Sequence, residues 1–165
     1  MLILNHKQIE QKTRRLAVQI LENNFKEKQI ILSGINTTGY QFAQMLHREI
    51  QRMQPEMGVR LNQVKLDPSK PLSQPIEMTL ARKEVSRKSV VVVDDVANSG
   101  RTLYYALKPL MEAVPKKVQM AVLVDRTHKT FPVRVDFVGL QLATTLKDHI
   151  QVEIAPHSEW SVSLD

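Results

Sequence analysis

The stretch Val90–Thr102 reads VVVVDDVANSGRT, and its order decides the fold. Four valines run unbroken into two adjacent carboxylates, Asp94 and Asp95. A short polar loop follows, and Gly100-Arg101-Thr102 opens a helical pattern. An apolar run of that kind is the signature of a strand covered on both faces, as in a parallel sheet. The acids then stand at the carboxyl end of the strand, where open α/β sheets bind their ligands. Two like charges placed there are expected to be exposed and to contribute little to packing.

Working outward, the same alternation of strand and helix recurs. Asn5 is a helix cap, and Ile9, Leu16, Ala17, Ile20 and Leu21 fall on one face behind it. Gln29–Ser33 is a short buried strand, and Gly34–Gly39 (GINTTG) bounds the turn after it. Tyr40–Met53 has helical spacing, with Phe42, Ala43, Leu46, Ile50 and Met53 apolar. Val59–Leu66 alternates as a strand. The following DPSKPLSQP is too rich in proline for a sheet ladder and reads as a surface loop. Ser89–Asp94 is the central strand, Gly100–Val114 a helix, Val118–Asp125 and Val135–Leu142 further strands, and the tail alternates weakly through Trp160. Strands and amphipathic helices in this order predict one α/β domain over residues 1–165, a mostly parallel sheet with helices on both faces.

Composition narrows the function. The chain has 165 residues, 42% of them hydrophobic, and no cysteine, which excludes disulfides, thiolate metal sites and cysteine nucleophiles. No apolar run approaches the ~18 residues of a membrane span, so a cytoplasmic protein without membrane contact is expected. A net charge of +6 favours anionic partners, phosphorylated small molecules or nucleic acid. The five histidines lack metal-ligand spacing.

The chemistry lies in the quoted stretch. A helix start offers unpaired amides and partial positive charge to a phosphate. Ser99, Thr102 and Asn98 add donors, and Gly100 lets the backbone approach an anion. Paired carboxylates only accept hydrogen bonds, which suits a vicinal diol such as that of ribose. The two halves describe a site for a phosphorylated sugar. Neither G-x-x-x-x-G-K-[ST] nor G-x-G-x-x-G occurs, and a receiver-type acidic cluster needs partners that are not evident.

VVVVDDVANSGRT resembles the phosphoribosyl pyrophosphate motif of type I phosphoribosyltransferases. LVDRTHKTFPVRVDFVG (Leu123–Gly139) and ILSGINTTGYQFAQML extend the likeness to the pyrimidine operon attenuator/uracil phosphoribosyltransferase family, over roughly residues 2–154. The resemblance implies the type I fold with a small hood, and transfer of a 5-phosphoribosyl group from phosphoribosyl pyrophosphate to a nucleobase, uracil foremost, with magnesium. On that likeness Asp94 and Asp95 are the catalytic ribose-hydroxyl acceptors. Val96, Ala97, Asn98, Ser99, Gly100, Arg101 and Thr102 cradle the 5′-phosphate. Gly34, Ile35, Asn36, Thr37, Thr38 and Gly39, with Lys65, take the pyrophosphate. Asp125, Arg126, Val138 and Gly139 read the base. Magnesium is implied on pyrophosphate and ribose, with Asp94 and Asp95 the only protein candidates. VDFVG also resembles hypoxanthine phosphoribosyltransferases, which usually carry Lys where Asp125 stands; purine transfer stays open, with the pyrimidine branch favoured.

Two stretches depart from the family. Its pyrophosphate loop tends to read Gly-Ile-Lys-Thr-Arg-Gly, so Asn36 and Thr38 replace both cations. Its hood begins Tyr-Arg-Asp-Asp, here Val64-Lys65-Leu66-Asp67, where Lys65 offers a point charge instead of a fork. These departures bear on turnover more than on substrate binding. The basic loop with Arg126, His128, Lys129 and Arg134 matches a segment associated in that family with messenger-RNA binding, and Arg14 and Arg15 on the first helix would extend that basic face. A regulator of the same fold that binds an mRNA leader with little or no catalysis is therefore the competing expectation. A homo-oligomer, dimer or tetramer, is expected in either case.

Overall fold

The computed structural model describes residues 1–145 and 147–165. In chain order the elements are β1 (Leu2–Leu4), α1 (His6–Asn23), β2 (Gln29–Ile35), α2 (Asn36–Met53), β3 (Gly58–Lys65), β4 (Glu77–Met78), α3 (Arg82–Val85), β5 (Ser89–Ala97), α4 (Arg101–Ala113), β6 (Lys117–Arg126), β7 (Phe137–Leu142), β8 (Ile150–Glu153) and β9 (Ser161–Leu164). The main sheet has six strands in the order β4-β3-β2-β5-β6-β7. All its pairings are parallel except that of the short edge strand β4 with β3. Among the described residues no helix is long and apolar enough to cross a membrane.

The valine run lies in β5 at the centre of this sheet, and its side chains divide as a period of two requires. Val91 and Val93 enter one core with Leu16, Phe42 and Leu46 of α1 and α2. Val90 and Val92 enter the other with Val85, Leu103 and Leu110 of α3 and α4. Helices therefore cover both faces, and every valine of the run is fully buried.

The strand order places the site. From β2 the chain crosses to β3 on one side; from β5 it crosses to β6 on the other. Neighbouring strands whose connections leave in opposite directions form a topological switch point, and a crevice opens at their carboxyl ends. Here those ends are Ile35-Asn36 and Asp94–Ala97.

Several boundaries differ from the sequence reading. Gly34 and Ile35 finish β2, and α2 starts at Asn36, four residues before Tyr40. A single residue with positive φ, Asn36 at +52°, makes the whole turn, and asparagine tolerates that region better than most residues. Met53 ends the helix exposed instead of buried. β7 begins at Phe137, because Val133 and Val135 leave the sheet to pack on the α4-side core. The weakly alternating tail is a second sheet, antiparallel, in the order β1-β9-β8. At the N-terminus Asn5 caps α1 reciprocally with Gln8, by bonds of 3.0 and 2.9 Å.

Candidate active site

β5 does not stop at the acids. It runs on to Ala97, pairing Val96 with Val124 and Ala97 with Asp125 of β6. This extension overturns the expectation that both carboxylates are exposed. Asp94 is 7% exposed and Asp95 half-buried. The Asp95 amide donates to Asp94 Oδ1 at 2.9 Å. Burial, and after it the charge of Asp95, pushes the Asp94 carboxyl well above the ordinary range. Both acids line a cleft of about 470 Å³, together with Thr37, Thr38, Gly39, Asn98 and Thr102.

Two helices begin at this cleft. α4 starts after Gly100, which sits at φ +86° and has no side chain with which to cap. Val96–Thr102 form a small concavity with Asp94 at that helix start. The Ser99 carbonyl accepts from the amides of Thr130 and Phe131 at 3.0 and 3.2 Å. The chain after β6 is thus strapped to the loop that precedes α4. α2 starts at Asn36 behind Ile35, which offers no capping oxygen. Its first turn presses on the acids: a Cβ on Gly39 would lie 2.8 Å from the Val93 carbonyl oxygen. Gly34 is held as tightly, 2.4 Å from Tyr40 Cα by the same measure. Lys65 is exposed at the end of β3 and lines a second cavity of about 530 Å³, which shares Asn36 and Thr37 with the cleft.

The structure thus brings the acids, the phosphate loop and the α2 loop around one crevice. It does not bring Val138 and Gly139 there. Both lie within β7, Val138 beside Val122 of β6, and the Gly139 carbonyl accepts from Lys12 Nζ at 3.1 Å. Burial lowers the pKa of that lysine, with the charge of Arg15 adding to the effect. The cleft wall facing α2 and α4 is instead His149, Ile150, Gln151 and Val152, which the sequence reading did not single out. Their only signal is the short alternation HIQVE. Asp125 is buried in a 2.5 Å ion pair with Lys129. Arg126 donates to Asn98 Oδ1 at 3.2 Å and to the Thr145 carbonyl at 2.5 Å.

A model of the phosphoribosyl transferase domain matches residues 2–157 of this sequence. The chain belongs to that family. Relatives carrying the name bifunctional protein PyrR point the same way. The one from Macrococcus caseolyticus is 33% identical over 156 residues, covering 92% of this chain and 90% of its own. That from Alkaliphilus metalliredigens is 35% identical over 158 residues, covering 92% and 87%. Among solved structures, a hypoxanthine-guanine phosphoribosyltransferase from Bacillus anthracis superposes with a TM-score of 0.71 at 22% identity, covering 86% of this chain and 82% of that one. A hypoxanthine phosphoribosyltransferase from Staphylococcus aureus gives 0.72 at 15%, covering 88% and 80%. These likenesses establish the phosphoribosyltransferase fold.

The remaining sequence candidates divide by exposure. Arg14, Arg15, His128 and Arg134 are exposed, with Arg14 3.7 Å from Glu49. Arg126 and Lys129 are half-buried and bonded within the protein, Arg126 to Asn98 and Lys129 to Asp125. Among the described residues no group of three or more His, Asp or Glu side chains gathers to hold a metal. Two carboxylates beside two anion-binding ends suit a hard cation whose other ligands are substrate oxygens.

Proposed function

We propose that this protein transfers the 5-phosphoribosyl group of phosphoribosyl pyrophosphate to a nucleobase, uracil foremost, and releases pyrophosphate. The observation that carries the reading is the order of parts in one cleft: helix start, acid pair, helix start. A donor with a phosphate at one end of a ribose and a diphosphate at the other needs that order. The 5′-phosphate lies on Asn98–Thr102 at the start of α4. The diphosphate lies on Asn36–Gly39 at the start of α2, with Lys65 beyond. Asp94 and Asp95 accept from the ribose hydroxyls between them.

In the reaction a base nitrogen bonds to the anomeric carbon as the bond to pyrophosphate oxygen breaks, and the nitrogen's proton passes to solvent. Positive charge grows on the ribose, where the nearby carboxylates stabilise it. Negative charge grows on the leaving group, toward the preorganised amides of α2. Magnesium, when bound to the diphosphate, neutralises part of that charge. The donor's 2′- and 3′-hydroxyls donate hydrogen bonds to Asp94 and Asp95. The base lies against His149–Val152, read by strand backbone. Lys and Arg are absent from the α2 loop, so its amides carry the leaving group and turnover is correspondingly slow. The setting is the cytoplasm and the working form a homo-oligomer, which sedimentation checks directly.

The test is a panel of bases offered singly with phosphoribosyl pyrophosphate and magnesium, with the nucleoside monophosphate measured by chromatography. Uridine monophosphate is the expected product. Product from hypoxanthine or guanine alone moves the reading to purine transfer, and no product from any base removes it.

A second reading has its own support. The exposed basic side chains of Arg14, Arg15, His128 and Arg134, the net charge of +6 and the relatives' description as bifunctional favour an additional role in binding an mRNA leader.

A further inference from the structure

The geometry points to Asn36 as a positioning residue for the leaving group, a latch that holds the start of α2 open to a diphosphate. The inference rests on reading the cleft as a phosphoribosyl site and goes beyond it by assigning this task to a residue whose own side chain carries no charge. Asn36 follows the cap position Ile35, and its side chain bonds outward from the helix instead of along it. Its Oδ1 accepts from the Leu66 amide at 3.0 Å, and its carbonyl accepts from Gln63 Nε2 at 2.8 Å. Gln63 lies within β3, two residues before its end, and Leu66 just beyond it. The side chain is thereby drawn away from α2, leaving the first-turn amides of Thr37 and Thr38 to whatever occupies the cleft.

Three further observations support the assignment. Asn36 adopts φ +52°, a conformation with a standing cost that persists only where surrounding bonds hold it. Asn36 and Thr37 are the shared wall between the cleft and the second cavity. The Leu66 amide is also the root of the loop Asp67–Pro75, whose Pro68 lines the cleft. One side chain therefore fixes the α2 turn and the loop above it together. Preorganised backbone donors replace mobile cations, so the leaving-group end is specified by geometry.

The test uses two variants that break the latch from opposite sides. Asn36→Gly keeps easy access to positive φ and removes Oδ1; Gln63→Met removes the Nε2 donor at similar length. Binding of inorganic pyrophosphate with magnesium and of uridine 5′-monophosphate is measured by calorimetry on the full chain. Each variant is expected to weaken pyrophosphate about tenfold, as the loss of one or two supporting bonds predicts, with the monophosphate within twofold. In steady state the KM for phosphoribosyl pyrophosphate rises while that for the base holds. Equal losses for both ligands, or unchanged pyrophosphate binding, overturn the latch. A wild-type protein that binds the monophosphate but no pyrophosphate also overturns it, with the monophosphate site intact. A wild-type protein that binds neither removes the phosphoribosyl reading along with it.

Discussion

Gly39 and Asp94 are in contact across the switch point. A Cβ built on Gly39 would stand 3.0 Å from Asp94 Oδ1 and 2.8 Å from the carbonyl oxygen just before it. The first turn of α2 can close over the acid only because position 39 has no side chain. This contact joins the start of α2, proposed to hold the diphosphate, to the acid proposed to hold the ribose. Gly39→Ala therefore has two expected effects. The helix start must shift against backbone that cannot yield, costing about 1–3 kcal/mol. Donor binding weakens more than binding of a nucleoside monophosphate, because the α2 amides move and the α4 amides do not. Urea unfolding and calorimetry with the two ligands check both; a variant as stable as wild type would show that the turn relaxes freely.

Asp94 makes stability depend on pH in a particular direction. Its carboxyl titrates above the ordinary range because burial, and then Asp95, disfavour the charged form. The folded state therefore binds this proton more tightly than the unfolded state. The contribution is fully present below the unfolded carboxylate's pKa of about 4 and is lost as pH rises through the raised folded value. Asp94→Asn cannot titrate. Its stability relative to wild type should grow from pH 4 upward and then level off. Transfer should meanwhile fall about 10- to 100-fold, the loss of one charge-assisted hydrogen bond of ~1.5–3 kcal/mol. Urea midpoints of both proteins at four pH values read the first effect. Parallel curves would remove the linkage.

Gly100 offers a sharper test of the phosphate loop than crowding of an anion alone. A Cβ there would lie 2.4 Å from Val133 Cγ2 and 3.3 Å from Lys129 Cδ, on the strap side. Gly100→Val is expected to destabilise by about 1–3 kcal/mol from the positive φ, with further loss from displacing the strap. Val133→Ala on that background should recover the displacement but not the backbone cost. Weak monophosphate binding that returns with Val133→Ala identifies the strap as the support of the loop. If binding stays lost in a double variant of recovered stability, the loop itself is at fault.

How far the sequence carries follows from what each feature depends on. The strands and helices of the main sheet follow local periodicity, and the acid pair, its polar loop and the helix start are contiguous, so their grouping is legible by eye. The burial of Asp94 is not, because it depends on Gly39, on a helix that precedes it by two strands. Val138 and Gly139 sit in a run that resembles the family's base-reading segment, yet a mid-strand position beside β6 with Lys12 on the Gly139 carbonyl leaves them off the cleft. That side of the cleft is lined by His149–Val152, in and beside a four-residue strand of the second sheet. Short antiparallel pieces assembled from both ends of a chain carry little periodicity. Pairing of Leu2 with Ser163 has no local signal at all.

The basic surface separates into residues with internal tasks and residues without them. Lys129 is ion-paired with buried Asp125 and also donates to the Arg126 carbonyl; Arg126 holds Asn98 of the phosphate loop. Arg126→Ala and Lys129→Ala should thus impair transfer whether or not RNA binds, and Lys129→Ala should cost roughly 2–3 kcal/mol by leaving a buried carboxylate unpaired. Arg15 and Arg134 are the cleaner probes, both exposed. If they meet RNA phosphates, Arg15→Ala with Arg134→Ala should flatten the dependence of log K on log salt by about 0.7–0.9 for each phosphate no longer neutralised, with transfer unaffected. Electrophoretic titration of a pyrimidine-operon leader RNA and an unrelated RNA of equal length, at two salt concentrations, reads the slope. Nucleotide that tightens leader binding must itself bind more tightly in the leader's presence, since the coupling is reciprocal. Equal affinity for both RNAs, with a salt slope that the two substitutions leave unchanged, would leave Arg15 and Arg134 as solvated charge and remove the leader-binding reading.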